Sequence, residues 1–160
     1  MTLADIPQVH AIDALSFSLP WPENSYRFEL TENPSTLALI AELTTPNDAQ
    51  TIIGMSVTWL IIDEAHIATI AIHPEYRGHG YGKQLLRETL RQSIQRGAVL
   101  AALEVRENNL IAQQMYLEFG FEIVGRRFKY YKDNDEDALL MSLTKMRPES
   151  LTRWDDKGIL

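Results

Sequence analysis

Three glycines at alternate positions, Gly78, Gly80 and Gly82, follow a β-branched run that ends at Pro74, and a strongly amphipathic stretch begins at once. Strand, glycine turn and helix in that order leave backbone N–H groups unpaired at the positive end of a helix dipole. Such a turn is an anion site, most often a phosphate site. Two side chains further along add acid–base capacity. Glu104 is the first charge in the otherwise apolar run from Val99 to Val105, where a carboxylate is costly unless it is solvated or used. Asn109, Ala112 and Tyr116 fall at i, i+3 and i+7 and therefore share one helix face, with small Ala112 leaving room beside a ligand. Each feature has a plainer alternative. Glu104 could be a strand-end glutamate that meets solvent or pairs with Arg106, Tyr116 a core tyrosine, and the turn a tight connection with no ligand.

Spacing narrows the ligand. A dinucleotide fingerprint needs G-x-G-x-x-G, and here the third glycine arrives one residue early. A P-loop needs G-x-x-x-x-G-K-[ST], and Gly82-Lys83 is followed by Gln84, which has no hydroxyl for magnesium. What is left is Arg77-x-x-Gly80-x-Gly82 after Ile70-Ala71-Ile72-x-Pro74. This pattern resembles the acyl-CoA pyrophosphate loop of the GNAT family of N-acetyltransferases. The second half of that family is resembled by Leu103-Glu104-Val105-Arg106, then Asn109, Ala112, Tyr116, Gly120 and Phe121. Within the family these residues look most like the RimI group of ribosomal-protein alanine N-acetyltransferases and related protein N-terminal acetyltransferases. Pro20-Trp21, Asp63-Glu64-Ala65, and Tyr130-Tyr131 ahead of Glu136-Asp137-Ala138 add to the likeness, which runs from about residue 3 to residue 143.

The resemblance implies a site and a reaction. Backbone groups of Ile70, Ala71 and Ile72 would face the pantetheine arm and the acetyl carbonyl of acetyl-CoA. Arg77 and the loop Gly78, His79, Gly80, Tyr81, Gly82 and Lys83 would hold its pyrophosphate, and Asn109 would touch it from the next helix. Glu104 matches the family's general base and Tyr116 its general acid, with direct attack of the amine and no metal. Trp21, Tyr130 and Tyr131 are candidate walls of a slot for the acceptor. That acceptor would be a protein or peptide N-terminus, a ribosomal-protein alanine first among them. A lysine side chain, a small amine, or acyl-CoA binding without turnover are the alternatives. An α-amine with a pKa of about 7.7–8.0 costs about 1 to 1.4 kcal/mol to neutralise at pH 7, and a lysine about 4.6 kcal/mol. One glutamate suits the first task better. His10, His66, His73 and His79 show no metal-ligand spacing, and Trp59 reads as core or sheet surface.

The elements that must position these groups follow from periodicity and punctuation. Ile6, Val9, Ile12 and Leu15 predict a helix to about Phe17, and Tyr26, Phe28 and Leu30 a second, closed by Asn33-Pro34. Strands are expected at Leu37 to Leu43, Ile52 to Ile62 and His66 to Ile72, with a hairpin loop from Thr44 to Gln50 and a turn at Asp63-Glu64. Leu86, Leu90 and Ile94 mark the apolar face of the helix after the glycine turn, which Gly97 stops. A buried strand to Val105, a helix from Asn109 to Phe119 capped by Asn108, and strands at Phe121 to Tyr131 and Ala138 to Leu143 complete the order. The class is α/β, a GNAT fold with a mixed, mostly antiparallel sheet of six or seven strands and about four helices. A single domain over 1–146 is expected, with 147–160 as a tail without periodicity. The short strand with which the family usually opens is expected to be missing, shortened or lost to a mis-set start, since this sequence starts almost at the first helix.

Composition limits the partners. The chain has 160 residues, 45% of them hydrophobic, and no cysteine, so disulfides, a thiolate nucleophile and a cysteine zinc site are excluded. A net charge of −7 argues against a nucleic-acid partner and suits a basic or amine one. No apolar run reaches the ~18 residues of a membrane span, and the N-terminus lacks the form of a signal peptide. A cytoplasmic monomer or weak homodimer is the expectation.

Overall fold

The computed structural model describes residues 1–44 and 50–147. The Thr44 to Gln50 hairpin loop and the tail expected over 147–160 therefore lie, apart from their flanking residues, outside the described residues. A 3-10 turn at Leu3–Asp5 leads into α1 (Ile6–Ser16), followed by α2 (Glu23–Thr31), β1 (Thr36–Thr44), β2 (Gln50–Ile61) and β3 (Glu64–Ile72). Then come α3 (Tyr81–Gln95), β4 (Leu100–Arg106), α4 (Leu110–Glu118), β5 (Glu122–Tyr131) and β6 (Glu136–Thr144). The strands form one six-stranded sheet in the order β1-β2-β3-β4-β6-β5. All neighbours are antiparallel except β3 and β4, as expected where α3 is the crossover between them.

Helices cover both faces, and each face has its own core. On one, Ile6, Val9 and Ile12 of α1 and Tyr26 of α2 pack against Ile52, Met55, Val57 and Ala71. On the other, Leu86 and Leu90 of α3 and Tyr116 of α4 join Ile67, Ala101, Leu103, Val105, Phe121 and Met141. Alternation along the strands sends Leu103 and Val105 to the α3–α4 face, so Glu104 between them points to the α1–α2 face. Inside the α3 layer, the Ser56 and Thr89 hydroxyls lie 2.9 Å apart and Thr89 Oγ1 also donates to the Leu85 carbonyl, so a buried polar pair is satisfied.

The parallel seam is short. β3 pairs with β4 only from Glu64 opposite Leu100 to Ile67 opposite Leu103. The register of β3 against β2 shifts between Val57 and Thr58, leaving Ala68 as the extra residue. Beyond the seam the two strands part, and the sheet opens where the β3 backbone runs on to Ile72.

Two local expectations need correction. The β2–β3 turn is Ile62-Asp63 and not Asp63-Glu64: Ile61 pairs with Glu64, and Ile62 takes φ 59°. The left-handed conformation is unusual for a β-branched residue, which is why the turn is hard to read from sequence. The Asp63 carbonyl accepts from Val99 N at 2.8 Å and so ties this turn to the entry of β4. The cap of α4 is Asn109 and not Asn108, since Asn109 Oδ1 accepts from Ala112 N at 3.2 Å.

Candidate functional site

Gly78 and Gly80 hold the turn after β3 in left-handed conformations, φ 82° and 83°. Gly80 is the N-cap of α3, and a glycine there offers no side chain to the free N–H groups of the first helical turn. The 15 residues of α3 give this end a full dipole. The donor set therefore suits a pyrophosphate, which is the fit the loop spacing implies. Side chains in the loop are otherwise engaged. Arg77 Nε donates to the Ile72 carbonyl at 2.8 Å and its other arm to Ser16 Oγ at 2.9 Å. Lys83 pairs with Glu118 of α4 at 2.6 Å, and His79 Nδ1 lies 2.9 Å from the Arg77 carbonyl with its ring on Tyr81. What this loop turns toward an anion is thus backbone, with Arg77 fastening the loop to β3 and α1. Asn109 is likewise occupied in capping α4. Ile70, Ala71 and Ile72 lie on β3 past the end of the parallel seam, so their β4-side edge is not taken up by that strand.

Glu104 stands on β4 beside the opening, on the sheet face against which α1 and α2 pack. Its Oε2 lies 3.1 Å from His66 Nε2 and its Oε1 3.4 Å from an Arg127 nitrogen. The strand-end alternative of an ion pair with Arg106 does not hold: Arg106 binds Asp133 at 2.9 Å and Glu136 at 3.0 Å. The hydrogen bond from His66 holds the Glu104 carboxyl below its ordinary range, against the opposing effect of burial. The same bond raises His66 above the usual imidazole value. The His66 ring is stacked on Trp59 at 5.7 Å, and Trp59 on Trp21 at 6.2 Å. A line of rings therefore runs from the α1–α2 connection to the carboxylate.

Tyr116 approaches from the other layer. It is 6% exposed, its ring lies 5.7 Å from Phe121, and burial first, then nearby Tyr131, push its hydroxyl above the ordinary tyrosine range. It is both a core tyrosine and a neighbour of the site. Tyr131, its own pKa pushed up to about 12 by burial, lies under the Arg106 guanidinium at 3.9 Å. Tyr130 meets it edge-on at 5.2 Å, with Arg127 5.4 Å from its ring centre. Trp21 is fixed by Asp13 Oδ2, which accepts from its backbone N–H at 2.6 Å. Trp21 also lines an open cleft of about 480 Å³ with Phe28, Glu29 and Trp59.

Ring contacts thus join Trp21 through Trp59 and His66 to Glu104, Tyr130 meets Tyr131, and Tyr131 is the group that Tyr116 senses from the other layer; sequence reasoning missed His66, Arg127, Trp59 and Arg106. His66 and Trp59 were discoverable only as cross-strand partners, since they face each other in the β2–β3 register. Nothing in the linear order pairs His66 with Glu104.

Residues 6–121 match the model of the acetyltransferase (GNAT) family. A Bacillus subtilis (strain 168) protein, provisionally named a [ribosomal protein bS18]-alanine N-acetyltransferase, is 41% identical over 144 residues, 90% of this chain and 92% of its own. The crystal structure of the Escherichia coli ribosomal-protein-S18-alanine N-acetyltransferase superposes with a TM-score of 0.76 at 29% identity, covering 93% of this chain and 94% of that one. A chain of the NatC complex bound to Gag peptide and CoA gives a TM-score of 0.72 at 28% identity, with 90% and 91% covered.

Proposed function

The chain belongs to the GNAT acetyltransferase family and is an N-acetyltransferase, and from that premise we propose that it moves the acetyl group of acetyl-CoA to the α-amine of a protein N-terminus, the alanine of ribosomal protein bS18. The observation that carries this reading is Glu104, a carboxylate beside the parting of β3 and β4 held between His66 of β3 and Arg127 of β5. The names of the bS18-specific relatives support the acceptor.

When bound, acetyl-CoA supplies an activated thioester. The α3 N-terminus and the Gly78–Lys83 backbone hold its pyrophosphate, and the free edge of Ile70–Ile72 orients the arm. Glu104 receives the proton that the attacking amine must lose. An α-amine loses it near neutrality at a cost of about 1 to 1.4 kcal/mol, within the reach of one carboxylate. Tyr116, kept protonated by burial, donates a hydrogen bond to the departing sulfur. Its raised pKa makes full proton transfer to a thiolate of parent pKa about 8.5 uphill, so stabilisation of the charge is its main part. Trp21, Tyr130 and Tyr131 wall the acceptor.

The test is acetyl-CoA turnover on a peptide carrying the bS18 N-terminus, beside the same peptide blocked at its α-amine but holding a lysine. CoA release and acetyl mass are expected only on the free terminus, and Glu104→Gln should lower turnover by about 10²–10⁴. Equal transfer to the blocked peptide would move the acceptor to lysine.

A further inference from the structure

Glu104 lies at the inner end of a line of titratable groups. His66 Nε2 is 3.1 Å from Glu104 Oε2, and His66 Nδ1 is 3.7 Å from Glu64 Oε1. Side-chain exposure rises along the line, from 13% at Glu104 through 23% at His66 to 39% at Glu64. The imidazole cannot swing freely, because it lies nearly parallel to Trp59, with 12° between the planes. Arg127 faces the second Glu104 oxygen from β5, and Tyr131 is a further titratable group near that carboxylate.

We propose that His66 is a positioning residue for acetyl transfer, which fixes Glu104 in its reactive rotamer and takes on the proton that Glu104 removes from the amine. This rests on the reading of Glu104 as base. The ammonium proton of the acceptor passes to Glu104 Oε2 and then to Nε2 of neutral His66. Glu104 is a carboxylate again, and His66, now imidazolium, releases the proton to water at its exposed edge. The nitrogen then bonds the acetyl carbon, the carbon–sulfur bond breaks, and the second nitrogen proton goes to the departing sulfur. One proton reaches solvent per acetyl moved. Once Glu104 carries the amine's proton it becomes the donor across the 3.1 Å contact, and neutral His66 with its proton on Nδ1, toward Glu64 at 3.7 Å, presents Nε2 to accept it. The hydrogen bond with His66 and the charge of Arg127 make Glu104 a poor place to keep a proton, against the opposing effect of burial, whereas the same bond makes the imidazole a better one.

Two measurements decide it. The first compares pH–rate profiles of wild type and His66→Gln with one peptide acceptor, so that the acceptor's own titration is common to both. Gln keeps a donor toward Glu104 but cannot titrate. Its kcat is expected to fall about 10- to 100-fold, at the lower end of acid–base contributions. The rising limb that belongs to the imidazole should vanish, while the KM for acetyl-CoA stays within about twofold. Superimposable profiles would overturn the proposal. The second measurement needs no acceptor and no His66 variant. NMR titration of the His66 ring should give a lower pKa in Glu104→Gln than in wild type, and an unchanged titration overturns the coupling. Wild-type silence on every N-terminal peptide would instead count against the acceptor, with the NMR result still deciding for or against His66.

Discussion

Both oxygens of Glu104 face cationic side chains, so the charge on this carboxylate depends on its neighbours more than on its burial. That coupling has a pH signature in stability. His66 is raised from 6.5 by its bond to Glu104, so its share of the stabilisation is complete below that value and disappears as pH rises through the raised one. Glu104 is lowered from 4.5, so its share is complete above 4.5 and disappears as pH falls through the lowered value. The pair therefore contributes fully between pH 4.5 and 6.5. Urea unfolding of wild type and His66→Gln should differ more at pH 5.5 than at pH 8.5, by on the order of 1 kcal/mol for a partly screened ion pair. A difference independent of pH would mean that the two side chains do not meet in solution. Tyr116 makes a complementary point, since the burial that makes it look like plain core also keeps its hydroxyl protonated.

At the scale of elements, legibility follows locality. The amphipathic face of α3, its stop at Gly97 and the apolar run of β4 are written in consecutive residues, and the structure has them within a residue or two of where periodicity puts them. The cap of α4 and the turn at Ile62-Asp63 slipped by one, because neighbouring Asn residues compete for a cap and a β-branched residue is an unexpected occupant of a left-handed turn. The pairing of His66 with Glu104 depends on the register between two strands separated by α3, and no local pattern encodes it. The glycine turn sits between these extremes: its conformation is local, while its Arg77 tether to Ser16 is not. Gly80→Val tests the local part. A β-branched side chain at φ 83° is strained by about 1–2 kcal/mol and would crowd the N–H groups at the start of α3. The expected result is acetyl-CoA affinity reduced by at least about tenfold, read by calorimetry. The far-ultraviolet circular dichroism should be that of wild type. Unchanged affinity would mean that the loop does not hold the cofactor.

For the whole molecule, the parting of β3 and β4 is the feature with the largest consequence. Four residue pairs join the sheet across its middle, with the glycine loop on the β3 side and Glu104, Arg127 and the β5–β6 hairpin on the other. The walls proposed for the acceptor lie on different sides of that seam, Trp21 on the first and Tyr130 and Tyr131 on the second. Arg106 holds them together. Its guanidinium binds Ser18 in the α1–α2 connection at 3.0 Å, Asp133 at 2.9 Å and Glu136 at 3.0 Å, and lies over the Tyr131 ring. Ser18 also hydrogen-bonds Asp133 directly. With side-chain exposure of 23%, Arg106 is shielded enough for these contacts to exceed an ordinary surface pair. Arg106→Ala should therefore raise the KM for the acceptor peptide by about tenfold, equivalent to about 1.4 kcal/mol, without touching a residue of the cofactor loop. The KM for acetyl-CoA should hold, and amide exchange should quicken around Ser18 and from Tyr131 to Glu136 while α3 keeps its protection. Arg106→Lys should recover only part of the loss, because an ammonium cannot fork between two carboxylates and cover a ring at once. An acceptor KM equal to wild type in Arg106→Ala would mean that the two walls keep their spacing without the clamp, and that the short parallel seam is stiff enough by itself.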